Sequence, residues 1–274
     1  MATIDDSFLG RLAHEQACLV TLHSARGSSP REPGAWMAVF AEGSVGTVGG
    51  GRLEYEAIAQ ARQWLLAQTR GKTLRKFALG PALGQCCGGE VQLGFECVGA
   101  ADIASLRERL QAPRQPIALF GAGHVGQALV RVLIGLPFRV HWIDSREQVF
   151  PQDLPLDIQA EHSDPPSAVV ADLLPQSRVL VMSFSHAEDL QVIASCLRRQ
   201  RQRQDLPFVG LIGSASKWAS FRRQLLARGF TQDELAHVTC PIGVAGIVGK
   251  QPAVIAVAVA AQLLQTLAST PATE

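Results

Sequence analysis

The chain has 274 residues, of which 47% are hydrophobic and 18% charged, and its formal net charge is +1. This composition is typical of a globular protein, excludes an intrinsically disordered one, and at this length favours two domains. The nearly neutral charge, without a basic tract, predicts no binding to nucleic acid, and the longest apolar stretch, residues 253–261, is too short for a membrane span.

The first part of the chain predicts an α+β domain, residues 1–112, that ends at the proline-bearing linker QAPRQP. Short apolar or alternating runs predict strands, and apolar residues at every fourth position after the triple glycine predict a helix. In chain order the predicted elements are a helix at 7–16, strands at 18–24, 36–41 and 44–49, a helix at 52–68, strands at 73–79 and 91–97, and a helix at 103–110.

The second part, residues 113–274, predicts a Rossmann-like domain with a doubly wound parallel sheet, which makes the whole chain α/β. Nearly continuous apolar runs are typical of buried parallel strands, and helical patterns separate them. Thr231 and Glu234 form a capping box for a late short helix, and an apolar final helix at 252–267 favours packing in a core or in a homodimer interface. The predicted strands are IALF at 117–120, FRVHWI at 138–143, SRVLVMSF at 177–184 and PFVGLI at 207–212.

A glycine motif directly follows the first strand of this second domain. Gly121, Gly123 and Gly126 form G-x-G-x-x-G, in which the first glycine permits a tight turn, the second admits a phosphate and the third lets helix and strand pack closely. Asp144 ends the next strand, where it either binds a ribose or pairs with the arginine two residues later. His124, in the first helical turn, faces either a ligand or solvent. The motif predicts a nucleotide, such as NAD(P), or another phosphate-bearing ligand.

The segment GQCCGGE places Cys86 and Cys87 beside Gly88 and Gly89. Adjacent Cα atoms lie about 3.8 Å apart, below the usual disulfide separation of about 4.4 Å or more, so these thiols are not expected to bond to each other. The spacing does not match a zinc site. Soft sulfur in a glycine-rich loop favours a thiophilic metal or persulfide chemistry, and the alternative is that one thiol packs inward.

The remaining cysteines predict packing or stay undecided. Cys18, Cys97 and Cys196 lie in apolar patterns and are interpreted as core residues, whereas Cys240 is undecided. The N-terminus has no apolar signal core, so we expect a cytoplasmic protein whose six cysteines are reduced.

Three further loops are candidate anion sites. In GLIGSASKWASF, Ser214 either caps a helix or forms a second anion cradle with Lys217. The triple glycine in TVGGGRLEYEA is either a phosphate cradle or a tight turn with Glu54 stabilised by the helix dipole. The loop ARGSSPREPGA offers Arg26 and Arg31 for an anion, or is a solvated turn.

Six segments together closely resemble the XdhC/CoxI family, the xanthine dehydrogenase accessory proteins, over residues 18–264. They follow the order of the family's motifs and are SARGSSPREPGA, GTVGGGRLEYEA, ALGPALGQCCGG, FGAGHVGQAL, GLIGSASKWASFRRQL and CPIGVAGIVGKQPAVIA.

The resemblance implies a chaperone of purine catabolism that binds the molybdenum cofactor (molybdopterin) without being an enzyme. Such proteins protect the cofactor while a cysteine desulfurase supplies its sulfido ligand, then insert it into the molybdenum-binding subunit of apo-xanthine dehydrogenase. Cys86, Cys87 and the glycine motifs carry over as candidate contacts, the two thiols to molybdenum itself. The sequence shows no catalytic triad or carboxylate pair. The alternatives are an NAD(P)-dependent oxidoreductase and a persulfide-carrying sulfurtransferase.

Overall fold

The structure, a computed structural model, describes residues 6–68, 71–79, 89–110, 114–155 and 157–268. The predicted site residues Cys86, Cys87 and Gly88 therefore lie outside the described residues. Contacts divide the chain into two compact units, residues 1–113 and 114–274. Within the described ranges no helix combines the length and apolar character needed to cross a membrane.

The first unit contains a five-stranded antiparallel sheet with helices on both faces, and the predicted α+β class is confirmed. Its helices are α1 (Asp6–Leu12), α2 (Gly51–Leu66) and α3 (Ile103–Leu110), the last preceded by a 3₁₀ turn. Its strands are β1 (Ala17–Arg26), β2 (Trp36–Phe40), β3 (Ser44–Gly46), β4 (Lys72–Leu79) and β5 (Gly89–Val98), in the order β3-β2-β1-β5-β4.

Apolar residues at every second position of the strands and at every fourth position of α2 explain which side chains form the cores of this unit. Leu53, Ala57 and Ala61 of α2 are fully buried against one sheet face, which alternate residues of β5 such as Leu93 and Phe95 also line. Helices α1 and α3 cover the opposite face. Helix α1 ends four residues earlier than predicted, because the chain must leave the helix before Ala17 is buried in β1.

The second unit contains a six-stranded parallel sheet, and the predicted Rossmann-like class is confirmed. Its strands are β6 (Gln115–Phe120), β7 (Phe138–Asp144), β8 (Ile158–His162), β9 (Arg178–Val181), β10 (Phe208–Leu211) and β11 (Val238–Thr239), in the order β11-β10-β9-β6-β7-β8. Counted from β6, this is the order 3-2-1-4-5-6 of dinucleotide-binding folds. Its helices are α4 (His124–Leu133), α5 (His186–Arg203), α6 (Ala215–Ala227), α7 (Gln232–Ala236) and α8 (Pro252–Ala268).

Two helical layers cover this sheet. Helices α4 and α8 pack on one face, and α5, α6 and a 3₁₀ segment (Pro166–Asp172) pack on the other. The short helix α7 begins with the predicted capping box of Thr231 and Glu234. The sequence did not predict β8 and β11. Both are edge strands, and β8 has a single buried residue, Ile158, so neither has the continuous apolar run that marks a central strand.

Candidate functional site

A glycine turn after β6 lies where the strand order reverses, between β6 and β9. Ligands of open α/β sheets bind at this switch point, outside the carboxyl ends of the strands. Gly121 has a φ of 119°, and a Cβ there would lie 2.2 Å from the carbonyl oxygen of Met182, just after β9. A Cβ at Gly126 would lie 2.2 Å from the Gly121 carbonyl oxygen. The predicted turn and packing roles of these two glycines are confirmed.

Gly123 differs from these two glycines because the fold does not require it. It is the N-cap of α4 with a φ of −73°, and apart from its chain neighbours no atom of the described residues lies within 4 Å of a Cβ built there. His124 begins the helix beside this space and is exposed. Backbone N–H groups and the helix dipole favour an anion at such a helix terminus, so the position fits a phosphate group.

Asp144, at the end of β7, is tied to both the glycine turn and Arg146. Its side chain is buried, 1% exposed, and its Oδ2 accepts a hydrogen bond of 2.6 Å from the Ala122 backbone N–H. The Arg146 backbone N–H and Nε each donate to Oδ1, and Nη2 donates to Oδ2, all at 2.9 Å. The predicted alternative of an ion pair with Arg146 is confirmed, whereas the bond to the turn was not foreseen. Both carboxylate oxygens are thus used within the protein.

These bonds hold the Asp144 side chain ionised. Burial alone would raise the pKa of Asp144, but the hydrogen bonds from Arg146 and from the Ala122 backbone outweigh it, so that the pKa lies below its usual value. The carboxylate in turn raises the pKa of Arg146. The pair therefore presents a fixed guanidinium beside the glycine turn.

An aromatic and an acidic side chain surround this guanidinium. The Arg146 side chain is 38% exposed, and its Cζ lies 5.0 Å from the ring centroid of Phe184, which is itself 62% exposed. The Ser145 hydroxyl donates to Glu188 Oε1 at 2.7 Å, which brings the first turn of α5 to the end of β7. The sequence did not single out Phe184 or Glu188. Polar and aromatic side chains thus lie together beside the glycine turn, where folds of this class have their ligand crevice outside the strand ends.

A buried ion pair lies next to the carboxyl ends of β9 and β10, and it was not predicted from the sequence. Lys217 Nζ donates to Asp189 Oδ2 at 2.6 Å and to the Ile212 carbonyl oxygen at 2.9 Å. Asp189 also accepts from the Ser183 N–H and hydroxyl, at 2.9 and 2.7 Å. The Asp189 and Lys217 side chains are 1% and 12% exposed. The pair joins the loops after β9 and β10.

The predicted second anion cradle is better explained as a helix cap. Ser214 Oγ accepts from the Lys217 backbone N–H at 3.2 Å, as the capping alternative predicted, while the Lys217 amine points to the buried ion pair. Cys240, left undecided by the sequence, is half-buried after β11 and packs against the apolar core. Burial raises the pKa of its thiol.

In the first unit, the triple-glycine loop is closed by its own glutamate. Glu54 Oε2 accepts from the backbone N–H groups of Gly50 at 3.0 Å and Val48 at 3.2 Å, which confirms the tight-turn alternative. A Cβ at Gly89 would lie 2.5 Å from the Ser28 carbonyl oxygen, so this glycine is required by the close approach of the loop after β1. Arg26 is the last residue of β1 and is exposed.

Two of the three cysteines predicted to pack lie in the core, and the third, Cys97, is half-buried. Cys18 and Cys196 are fully buried, and burial raises the pKa of each to about 12. Cys97 lies opposite Cys18 in the β1–β5 ladder, and burial raises the pKa of its thiol as well. Across the part of the chain that the structure describes, no three His, Cys, Asp or Glu side chains converge to hold a metal ion.

Family models match most of the chain. Residues 117–263 match the model described as the XdhC Rossmann domain, and residues 11–77 match that of the XdhC and CoxI family. A curated relative, the uncharacterized protein YqeB of Escherichia coli strain K12, is 30% identical over 268 residues. That alignment covers 94% of this chain and 45% of YqeB, so the chain spans less than half the length of this relative.

A solved structure has the same fold. It is described as a xanthine dehydrogenase from Bacillus halodurans, and it superposes with a TM-score of 0.79 over 98% of this chain and 97% of the other. The two sequences are 20% identical. At this level of identity the similarity establishes the fold of the chain.

Proposed function

The chain belongs to the XdhC and CoxI family, and from this membership we propose that it is a maturation factor for xanthine dehydrogenase. It binds the molybdenum cofactor and shields it while a cysteine desulfurase adds the terminal sulfido ligand. It then passes the cofactor to the molybdenum-binding subunit of apo-xanthine dehydrogenase, and so serves purine catabolism.

The observation that carries this proposal is the open space at Gly123. Two glycines of the turn are needed for the fold, but Gly123 is not, and a glycine that the fold does not require is explained by a ligand that approaches the backbone. Molybdopterin carries a phosphate, the group that backbone N–H groups at a helix N-terminus bind best. The residues present therefore fit the phosphate end of this cargo.

The metal end of the cargo is assigned to Cys86 and Cys87, with the adjacent Gly88 allowing the backbone to close around it. Gly89 is left out of this site, because its packing against the loop after β1 already requires a glycine. Thiolates are the soft ligands that suit molybdenum, and the described residues offer no competing cluster of metal ligands. A carrier of this kind needs shielding and retention of its cargo, and it needs no general base.

Two variants test the proposal at both ends of the cargo. Gly123→Val places its side chain in open space and should fold, but it fills the room that a phosphate needs. Cys86→Ser with Cys87→Ser removes both proposed sulfur ligands. After anaerobic purification from a molybdenum-replete host, both variants should carry less molybdenum and pterin than the wild-type chain. Full cofactor content in the Gly123→Val protein would contradict binding at the glycine turn.

A second candidate function is NAD(P)-dependent oxidation or reduction, which the strand order and the glycine turn favour. The use of both Asp144 oxygens within the protein weighs against it, because the ribose hydroxyls of NAD would then find no free acceptor there. Titration calorimetry with NADH and NADPH distinguishes the two functions. Micromolar binding that Gly123→Val abolishes would favour the oxidoreductase.

The partners follow from the maturation role. The chain is proposed to contact the desulfurase and the dehydrogenase subunit in turn, and to form a homodimer through α8, whose Val257 and Leu264 are exposed apolar side chains. Light scattering of the wild-type chain and of Val257→Asp tests the dimer. A wild-type monomer at micromolar concentration would contradict it.

A further inference from the structure

Beside the glycine turn, one carboxylate oxygen of Glu188 has no hydrogen-bond donor among the described residues. Glu188 Oε1 accepts the Ser145 hydroxyl, but Oε2 is shielded from solvent and accepts no hydrogen bond from any residue that the structure describes. A buried carboxylate oxygen without a partner costs free energy, and such atoms in native proteins often have a functional reason. Glu188 is therefore suited to accept a hydrogen bond from a ligand.

The charge of the crevice indicates what kind of ligand group this is. Asp144 and Glu188 carry two negative charges and Arg146 one positive charge, so the three together have a net charge of −1. A second phosphate would be repelled here, whereas a neutral group with N–H donors would be attracted. The phosphate position at Gly123 and this acidic crevice thus favour different ends of one ligand.

The exposed aromatic side chain of Phe184 favours a ligand with a planar ring. Phe184 is largely exposed, and the Arg146 guanidinium lies over its ring. Because Asp144 forms a bidentate ion pair with the Arg146 guanidinium, this side chain is fixed before a ligand binds. An aromatic ring and a fixed guanidinium form a surface on which a heterocycle stacks.

We propose that Glu188 recognises the 2-amino-4-oxopyrimidine edge of a pterin, with the ring stacked at Phe184 and Arg146. The ring N3–H and the 2-amino group are adjacent donors, and they match the two oxygens of a carboxylate. This inference rests on the proposed function for the identity of the ligand, and it adds a site for the ring beside the phosphate site at Gly123. Ser145 is the positioning residue that orients the carboxylate.

The test compares pterin with lumazine, in which an oxo group replaces the 2-amino group. The full chain is titrated with each compound, and binding is followed by the intrinsic fluorescence of the pteridine ring. The wild-type chain should bind pterin at least 10-fold more tightly than lumazine, because the 2-oxo group would face the Glu188 carboxylate. Glu188→Gln should reduce this ratio below about threefold, since the amide offers a donor as well as an acceptor.

Two control variants separate recognition from folding. Glu147→Gln removes the same charge from an exposed neighbour and should keep the wild-type ratio. Phe184→Ala should weaken pterin and lumazine equally, by at least fivefold, because stacking does not distinguish the two rings. A Phe184→Ala protein that binds both compounds as the wild type does would overturn the stacking surface.

Guanine shares the same donor edge, so guanosine, which like pterin carries no phosphate, is titrated as a third probe. If it binds more tightly than pterin, the assignment to a pterin is overturned. Equal binding of pterin and lumazine by the wild-type chain, or an unchanged ratio in Glu188→Gln, would overturn the role of Glu188. These results are independent of the molybdenum content of the purified chain, so this inference and the proposed function can fail separately.

Discussion

The backbone N–H of Ala122 donates a 2.6 Å hydrogen bond to Oδ2 of Asp144, and this bond joins the glycine turn after β6 to the end of β7. The same carboxylate forms a bidentate ion pair with the Arg146 guanidinium. Asp144 therefore fixes both the glycine turn and the guanidinium of Arg146. It acts as a positioning residue from a buried place in the protein.

Asp144→Asn should destabilise the second unit by about 2 kcal/mol at pH 7, because the amide turns a donor toward Ala122 or Arg146. We expect less than the loss for a fully buried pair, since Arg146 is partly exposed. The folded-state pKa of Asp144 lies below its usual 3.8, so its contribution is present above about pH 4 and is lost as the pH falls through the folded value. Urea unfolding of both proteins at pH 7 and pH 3 measures this. If Asp144→Asn lowered the free energy of unfolding equally at pH 7 and pH 3, this pH dependence would be wrong.

Gly121→Ala should destabilise the chain by about 2–4 kcal/mol, since the new methyl group would meet the Met182 carbonyl oxygen at a φ that alanine rarely adopts. Gly123→Ala is the matched control, because its φ is ordinary and its side chain would enter open space. Its unfolding free energy should stay within about 1 kcal/mol of wild type. Equal losses from the two substitutions in urea titrations would show that Gly123 is also required by the fold.

Lys217→Met should cost about 3 kcal/mol or more, because it leaves the Asp189 carboxylate buried without its cation. Adding Asp189→Asn removes this charge and keeps an acceptor for the Ser183 N–H. The double variant should therefore be more stable than Lys217→Met alone, by about 1 kcal/mol. Thermal unfolding of the four proteins completes the cycle. Simple additivity of the two losses would mean that the pair is not coupled.

Alkylation of the native chain should spare Cys18 and Cys196. Both thiols are fully buried with a pKa of about 12, so about one molecule in ten thousand carries the thiolate at pH 8. Peptide mass spectrometry after brief iodoacetamide treatment reads each cysteine separately, with urea-unfolded protein as the control. Native modification of either residue at the rate found in urea would contradict the described packing.

The sequence patterns predicted most of the architecture because those elements are coded locally. The central strands have continuous apolar runs, α2 repeats apolar residues on one face, and the glycine turn follows from three residues within six positions. The capping box of α7 lies within four residues. Each of these signals can be read without knowing the tertiary fold.

Contacts between distant segments could not be predicted in this way. Lys217 and Asp189 are 28 residues apart, and Ser145 and Glu188 are 43 apart, so each pair exists only after the strands are ordered in the sheet. Both acids occupy the first turn of α5, a place where carboxylates are common for the helix dipole alone. The polar edge strand β8 was missed for a similar reason, since few of its side chains are buried.

We propose above that this chain holds the molybdenum cofactor. The most direct test is the amount of molybdenum and of pterin per chain in wild-type protein isolated without oxygen from a molybdenum-replete host. We expect both in equal amounts, approaching one of each per chain. Protein that contains neither, when isolated intact from cells that make active molybdenum enzymes, would contradict it.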